Sequence, residues 1–311
     1  MDAVKIRPPA LRPGDVVAIV APASNIQETA LLAGCEGLRR LGYQPVYAES
    51  ILEQDLYFAG SVERRVAELH AMFTREDVRA IVCARGGYGA NYLTDALDLE
   101  LIRRHPKIFV GYSDITSLLT LFCDEAGLVV FHGPMAAKDF VAEDGVDLAS
   151  WQAALCGAAA WQINDSGARG LVPGSAEGSF YGGCLPMLTS TLGTRHEVRT
   201  SGTILFLEDI AAKPFQIDRM LMQLKQAGKF QGVHGIIFGE MNDCTQHPSQ
   251  PYTLEEVVLR VVGNLGIPVA FGLRSGHVAR RNLTLPFGVR AALSVTAEQA
   301  QLNFLEPATT V

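Results

Sequence analysis

Apolar and polar positions along the first half of the chain fall into alternating blocks. VVAIVAPAS (Val16–Ser24) is a continuous apolar run closed by proline and serine. A run of that length bounded by turn residues predicts a strand buried on both faces. The stretch through LLAGCEGLRRLG predicts a helix with Leu31, Leu38 and Leu41 as core contacts, stopped at Gly42, since glycine accepts the backbone conformation that ends helices. QPVYAE predicts the next strand, and Ser61 stands where an N-cap belongs, ahead of VERRVAELHAMF. AIVCARGGYG and KIFVGYSD both run a strand into glycine. ITSLLTLFCDEAG then predicts a helix capped at Gly127, and LVVFHGP a further strand. Buried strands alternating with helices predict a parallel sheet, whose ligands gather at the carboxyl ends of the strands.

From about Trp161 the pattern changes. WQIND, ARGLVPG and SAEGSFYGG are short segments punctuated by glycine and proline, as in antiparallel strands with tight turns. PFQIDRMLMQLKQAG and TLEEVVLRVVGNLG predict amphipathic helices, and the tail from His277 predicts closing antiparallel strands. The small and polar residues of Val141–Ala160 mark the change. The expected fold is α/β. An N-terminal parallel-sheet sandwich domain covers 1–145, a linker covers 146–165, and a smaller, mostly β domain with helices covers 166–311.

Composition narrows the partners. The formal charge of −7 and the lack of a basic cluster oppose a nucleic-acid surface. No apolar run is long enough to span a bilayer, and MDAVKIRPPALRPGD has no apolar signal core. Six scattered cysteines without a C-x-x-C pair argue against a structural zinc site and for a reducing, cytoplasmic setting.

Four stretches carry candidate chemistry. Ser113 in GYSD lies at a strand-to-helix turn, either as a helix cap with Asp114 or as a nucleophile beside free N–H groups of the helix start. RGGYG (Arg85–Gly89) is either an ordinary tight turn or a loop that aims N–H groups at an anion. It fits neither a dinucleotide fingerprint nor a phosphate-binding P-loop. TILFLED ends a strand in Glu208 and Asp209, either a solvated pair or the site of a histidine-orienting carboxylate. In GLRSGHVARRNLTLPFG, His277 is flanked by glycine and rimmed by Arg274, Arg280 and Arg281, with His132 as its competitor. Ser113, Glu208 and His277 follow the order nucleophile, acid, base known from α/β-hydrolases.

Together with RPGDVVAIVAPAS, YFAGSVERRVAEL, VFHGPM, IDRMLMQL and GIIFGEM, these motifs resemble the LD-carboxypeptidase family of serine peptidases across nearly the whole chain. The resemblance implies Ser113 as nucleophile, Glu208 as acid and His277 as general base. The backbone N–H groups of Asp114 and Gly87 would form the oxyanion hole. It also implies removal of the terminal D-alanine from cytoplasmic murein tetrapeptides, with no metal or cofactor, by a homodimer. Arg85, Arg274, Arg280 and Arg281 are candidates for the substrate carboxylate. One departure stands out: where the family usually has Gly-Gly-Asn-Leu, this chain has GGCL, with Cys184 at the asparagine position. Two alternatives differ in chemistry. One is the self-immunity branch of the same family, which cleaves aminoacyl-nucleotides. The other is a small-molecule binding module that closes on a ligand without reacting.

Overall fold

A computed structural model describes residues 5–163, 165–247 and 249–310. Asn164, inside the expected linker, lies outside them. The chain forms two compact units: Met1–Ala158 with Ala279–Gly288 and Pro307–Val311, and Ala159–Val278 with Val289–Glu306.

In the first unit, β1 (Val16–Val20), α1 (Glu28–Arg40), β2 (Gln44–Val46), α2 (Val62–Thr74), β3 (Val78–Cys83), α3 (Leu99–Arg104), β4 (Ile108–Gly111), α4 (Thr116–Asp124), β5 (Val130–His132) and α5 (Leu148–Leu155) alternate as expected. Strands β1 to β5 are parallel in the order β5-β4-β3-β1-β2. The local signals are realised: the Ser61 hydroxyl accepts from the Arg64 N–H (3.2 Å), and Gly42 follows α1 at φ +86°. Every residue of α4 from Thr116 to Cys123 is buried, the mark of a core helix rather than a surface one. Phe122 meets Phe73 and Phe109 edge-on, with ring centroids 5.7 and 5.0 Å apart, contacts worth about 1 kcal/mol each beyond burial.

The stretch read as a linker carries α5. Its Trp151 is buried edge-on to Phe140 and donates to the Tyr43 hydroxyl (3.2 Å). The chain passes from the first unit to the second between residues 158 and 159, within that stretch.

In the second unit, β6 (Trp161–Ile163), β7 (Arg169–Val172), β8 (Gly174–Cys184), α6 (Leu185–Ser190), β9 (Thr203–Glu208), α7 (Pro214–Gln226), β10 (Gly235–Gly239), α8 (Leu254–Val262) and β11 (Val269–Leu273) come first. The chain then gives β12 (Leu285–Phe287) to the first unit, where it pairs antiparallel with β5, and returns for β13 (Val289–Val295) and β14 (Ala300–Phe304). The second sheet has eight strands in the order β6-β14-β13-β8-β9-β10-β11-β7. Its flanks are antiparallel, as the glycine and proline punctuation predicts, but β8, β9, β10 and β11 form a parallel centre. That centre brings several strand carboxyl ends to one edge. The helices of this unit connect its parallel strands, since parallel neighbours need a crossover rather than a hairpin.

Candidate active site

Ser113 follows β4 at φ +63°. A side chain in that left-handed region is disfavoured by about 1–2 kcal/mol, so the turn holds a strained serine. The helix-cap alternative does not hold. Neither Ser113 nor Asp114 makes a side-chain capping bond to the helical turn that begins there or to α4. The Asp114 carboxylate reaches sideways instead and accepts the Ala90 N–H (2.7 Å), tying the elbow to the end of the RGGYG loop. Burial pushes its pKa up to about 6, opposed by the Ala90 N–H and by Arg65.

The glycine loop lies against the elbow. A Cβ on Gly86 would stand 2.8 Å from Ser113 Cβ, 3.1 Å from its Oγ and 3.3 Å from the Asp114 nitrogen. Gly87, at φ +103°, would drive a Cβ to 2.3 Å from Ser24 Oγ, which accepts the Tyr88 N–H (3.0 Å). Ser24 ends the segment after β1, and α2 fixes that segment from below. Glu68, buried, accepts the Ala21 N–H (2.9 Å) and pairs with Arg64 (2.6 Å). Arg65, also buried, donates to the Pro22 and Gly89 carbonyls (3.0 and 2.9 Å). Ser24, Arg64, Arg65 and Glu68 therefore set the loop, although nothing local in the sequence marks them.

In the second unit, Glu208 ends β9 and His277 follows β11. Glu208 Oε2 accepts both from His277 Nδ1 (2.7 Å) and from the His277 backbone N–H (3.2 Å). A carboxylate can only accept, so Nδ1 carries the proton and Nε2 is left as the basic nitrogen. Asn242 donates to the His277 carbonyl (2.8 Å), so the histidine is pinned through its main chain as well. Gly239 at the end of β10 makes room for this, because a Cβ there would lie 2.8 Å from Glu208 Cβ. Glu208 is 1% exposed. Asp209 beside it is also buried, which pushes its pKa up to about 6, helped by the Glu208 charge. Cys184 is the register partner of Glu208 across β8 and β9, and its sulfur, a Glu208 oxygen and a His277 ring nitrogen all lie within 4.8 Å of one another.

The other candidates divide. His132 is fully buried on β5, with its ring 5.9 Å from Tyr112 and 5.6 Å from Phe287, as a core histidine. Arg274 is held by Asp165, its Nε at 2.8 Å from a carboxylate that is 1% exposed, with the backbone N–H on the other oxygen. Arg85, Arg280 and Arg281 are exposed.

Asp114 yields a stability prediction that needs no substrate. Its pKa is about 6 folded against 3.8 for the ordinary group, so between those values the folded chain holds a proton that the unfolded chain has lost. Stability from this residue is greatest at low pH and falls as pH rises through the window, by up to about 3 kcal/mol. Asp114→Asn stays neutral and keeps an acceptor for Ala90. Urea unfolding of both proteins should therefore show the variant gaining on wild type from about pH 4 to about pH 6 and holding that gain above it. A gap that does not change with pH would refute the assignment.

A serine on a strand-end turn in an α/β unit, and a carboxylate–histidine pair at parallel strand ends, are the parts of a serine hydrolase. Comparison with known proteins makes the class specific. Residues 17–133 match the LD-carboxypeptidase N-terminal domain and residues 177–293 the LD-carboxypeptidase C-terminal domain. The chain is 39% identical over 301 residues to a probable murein peptide carboxypeptidase of Bacillus subtilis, covering 96% of this chain and 94% of the relative. It is 29% identical to the microcin C7 self-immunity protein MccF of Escherichia coli, over 88% of each chain. Among solved structures, a muramoyltetrapeptide carboxypeptidase from Oxalobacter formigenes superposes with a TM-score of 0.84 at 28% identity, covering 95% of this chain and all of that one. The chain belongs to the LD-carboxypeptidase family, and is thus a carboxypeptidase of the serine peptidase kind.

Proposed function

We propose that this protein hydrolyses the peptide bond that joins the terminal D-alanine to a murein tetrapeptide, with Ser113 as nucleophile, His277 as general base and Glu208 as its orienting acid. His277 Nε2 takes the Ser113 proton as Oγ attacks the scissile carbonyl, then returns it to the leaving amine of D-alanine. Water repeats the cycle on the acyl-enzyme. Glu208 keeps the proton on Nδ1 and stabilises the imidazolium that forms. The Asp114 and Gly87 N–H groups serve the tetrahedral oxyanion. Of the four arginines, Arg85 suits the substrate carboxylate best, because it belongs to the glycine loop and has no buried carboxylate holding it, unlike Arg274. We place the enzyme in the cytoplasm as a homodimer acting on recycled wall fragments. Among the described residues no helix is long and apolar enough to cross a membrane.

The observation that carries the proposal is the 2.7 Å bond between Glu208 Oε2 and His277 Nδ1 in a chain of this family. Its test is D-alanine release from a muramyl tetrapeptide, with wild type active and Ser113→Ala inactive. Cleavage of an aminoacyl-adenylate analogue in place of the tetrapeptide would move the enzyme to the self-immunity branch. Binding of the tetrapeptide without cleavage of either would leave a binding module.

Gly86→Ala probes the elbow without replacing a reacting group. The added methyl must displace Ser113 by a few tenths of an ångström or more. A misplacement of about 1 Å costs about 10²-fold in rate, and that sets the upper bound. Steady-state kinetics should show kcat reduced by about 10- to 100-fold with the far-ultraviolet CD spectrum unchanged; unaltered kcat would mean that the loop does not abut the reacting serine.

A further inference from the structure

The fold puts the Cys184 thiol in the same cluster as Glu208 and His277. All three belong to the second unit: Cys184 ends β8, Glu208 ends the adjacent β9, and His277 follows β11. The parallel register sets Cys184 opposite Glu208. Their sulfur, oxygen and nitrogen atoms lie within 4.8 Å of one another. Around a tetrahedral zinc ion, with bonds of about 2.0–2.3 Å, such atoms stand about 3.3–3.8 Å apart, so shifts of about 1 Å or less, with the 2.7 Å Glu208–His277 bond opening and the sulfur drawing in, complete three corners of the coordination shell.

We infer that Cys184, Glu208 and His277 form a binding site for a thiophilic divalent cation, Zn2+ in particular, and that its occupation switches the enzyme off. The donor set makes the choice. Thiolate and imidazole suit Zn2+, whereas Mg2+ and Ca2+ need shells of oxygen that this cluster does not offer. Charge makes it too. Zn2+ with one thiolate, one carboxylate and a neutral imidazole sums to zero, and a neutral set is what a buried site tolerates. On binding, the Cys184 S–H bond breaks, the proton leaves to solvent and sulfur donates its lone pair to the metal. Ligation through His277 Nδ1 moves that nitrogen's proton to Nε2, the tautomer that cannot act as a base. Ligation through Nε2 occupies the basic lone pair itself. Either way the imidazole is lost to proton transfer, and ligation through Nδ1 also breaks its bond to Glu208.

The test uses the full chain, reduced with a non-thiol phosphine and freed of metal by a chelator that is then removed. Titration with Zn2+ against a chromophoric chelator should show one equivalent bound with Kd on the order of 1 µM or tighter. Co2+ should give a near-ultraviolet thiolate-to-metal charge-transfer band. Cys184→Asn and Cys184→Ser should both lose that band and bind Zn2+ at least about 100-fold more weakly. Cys156→Ser, which removes the exposed thiol, should bind as wild type does. D-alanine release by wild type should be inhibited with the same midpoint as binding. Absence of stoichiometric Zn2+ binding, absence of the Co2+ band, or binding that survives both Cys184 variants overturns the inference. The titration and the absorption band do not depend on turnover, so an error in the proposed reaction would leave them unaffected.

Discussion

Ser113→Ala is expected to lower kcat by about 10⁴- to 10⁶-fold, as loss of the nucleophile does in serine hydrolases with other folds, while leaving thermal stability near that of wild type. Rate and stability part company here because of the turn. Ser113 holds φ +63° with no capping bond from its side chain. Alanine inherits the same left-handed strain and loses no bond that the fold depends on. Ser113→Gly is the informative companion. Glycine takes that conformation freely, so this variant should be as inactive as alanine yet more stable by roughly 1 kcal/mol, after allowance for its freer unfolded chain. The checks are D-alanine release in single turnovers and thermal melts of all three proteins. An alanine variant that retains activity would place the nucleophile elsewhere. A glycine variant no more stable than alanine would show that the turn is not strained.

That turn also shows how far local sequence reaches. The strand-then-glycine punctuation of KIFVGYSD locates the elbow, because the residues that end β4 and begin the next helical turn are neighbours in the chain. The same locality makes Ser61 legible as a cap and Gly42 as a stop. TILFLED likewise delivers Glu208 to a strand end. What local pattern cannot supply is the partner. Asp114 has the composition of a helix cap, yet its carboxylate serves Ala90, 24 residues earlier in the chain. Arg274 looks like a carboxylate binder until the fold gives it Asp165, 109 residues away. Asn242, which holds the His277 carbonyl, lies in a polar loop like many others.

The sheets divide the same way. Leu285–Phe287 has the alternation and turn spacing of the closing strands that follow it, but it pairs with β5 of the first unit. Nothing in a three-residue strand tells which edge will receive it. The glycine-punctuated segments are antiparallel where they meet β11, β13 and β14. The parallel centre from β8 to β11 depends on crossovers through α6, α7 and α8; the amphipathic patterns of α7 and α8 announce helices without announcing what they connect, and α6 is too short to announce itself. Yet it is this centre that carries the carboxylate and the histidine to one edge, as strand carboxyl ends do in parallel sheets generally.

Glu208→Gln tests that edge, and kcat should fall by about 10⁴-fold with KM little changed. In the ground state the carboxylate does two things through one oxygen: it accepts the His277 backbone N–H and the Nδ1–H. A glutamine that turns its carbonyl to this position keeps both bonds and the loop geometry, but brings no charge to the imidazolium that forms as Ser113 attacks. A glutamine that turns its NH2 there donates to Nδ1, forces the proton onto Nε2 and disables the base. Both orientations leave substrate binding alone and raise the barrier, which is why the loss should appear in kcat. Asp209 supplies the sharper comparison, since it is buried beside Glu208 and its own pKa is pulled down by the charge of His277. If Glu208→Gln retains more than about 1% of wild-type kcat, well above the loss expected for an orienting carboxylate, Asp209 is the charge that compensates. The double variant Glu208→Gln with Asp209→Asn must then lose the remainder. If the double variant is no worse than the single one, the orienting role belongs to Glu208 alone, and Asp209 is a buried acid that tunes the pair by repulsion.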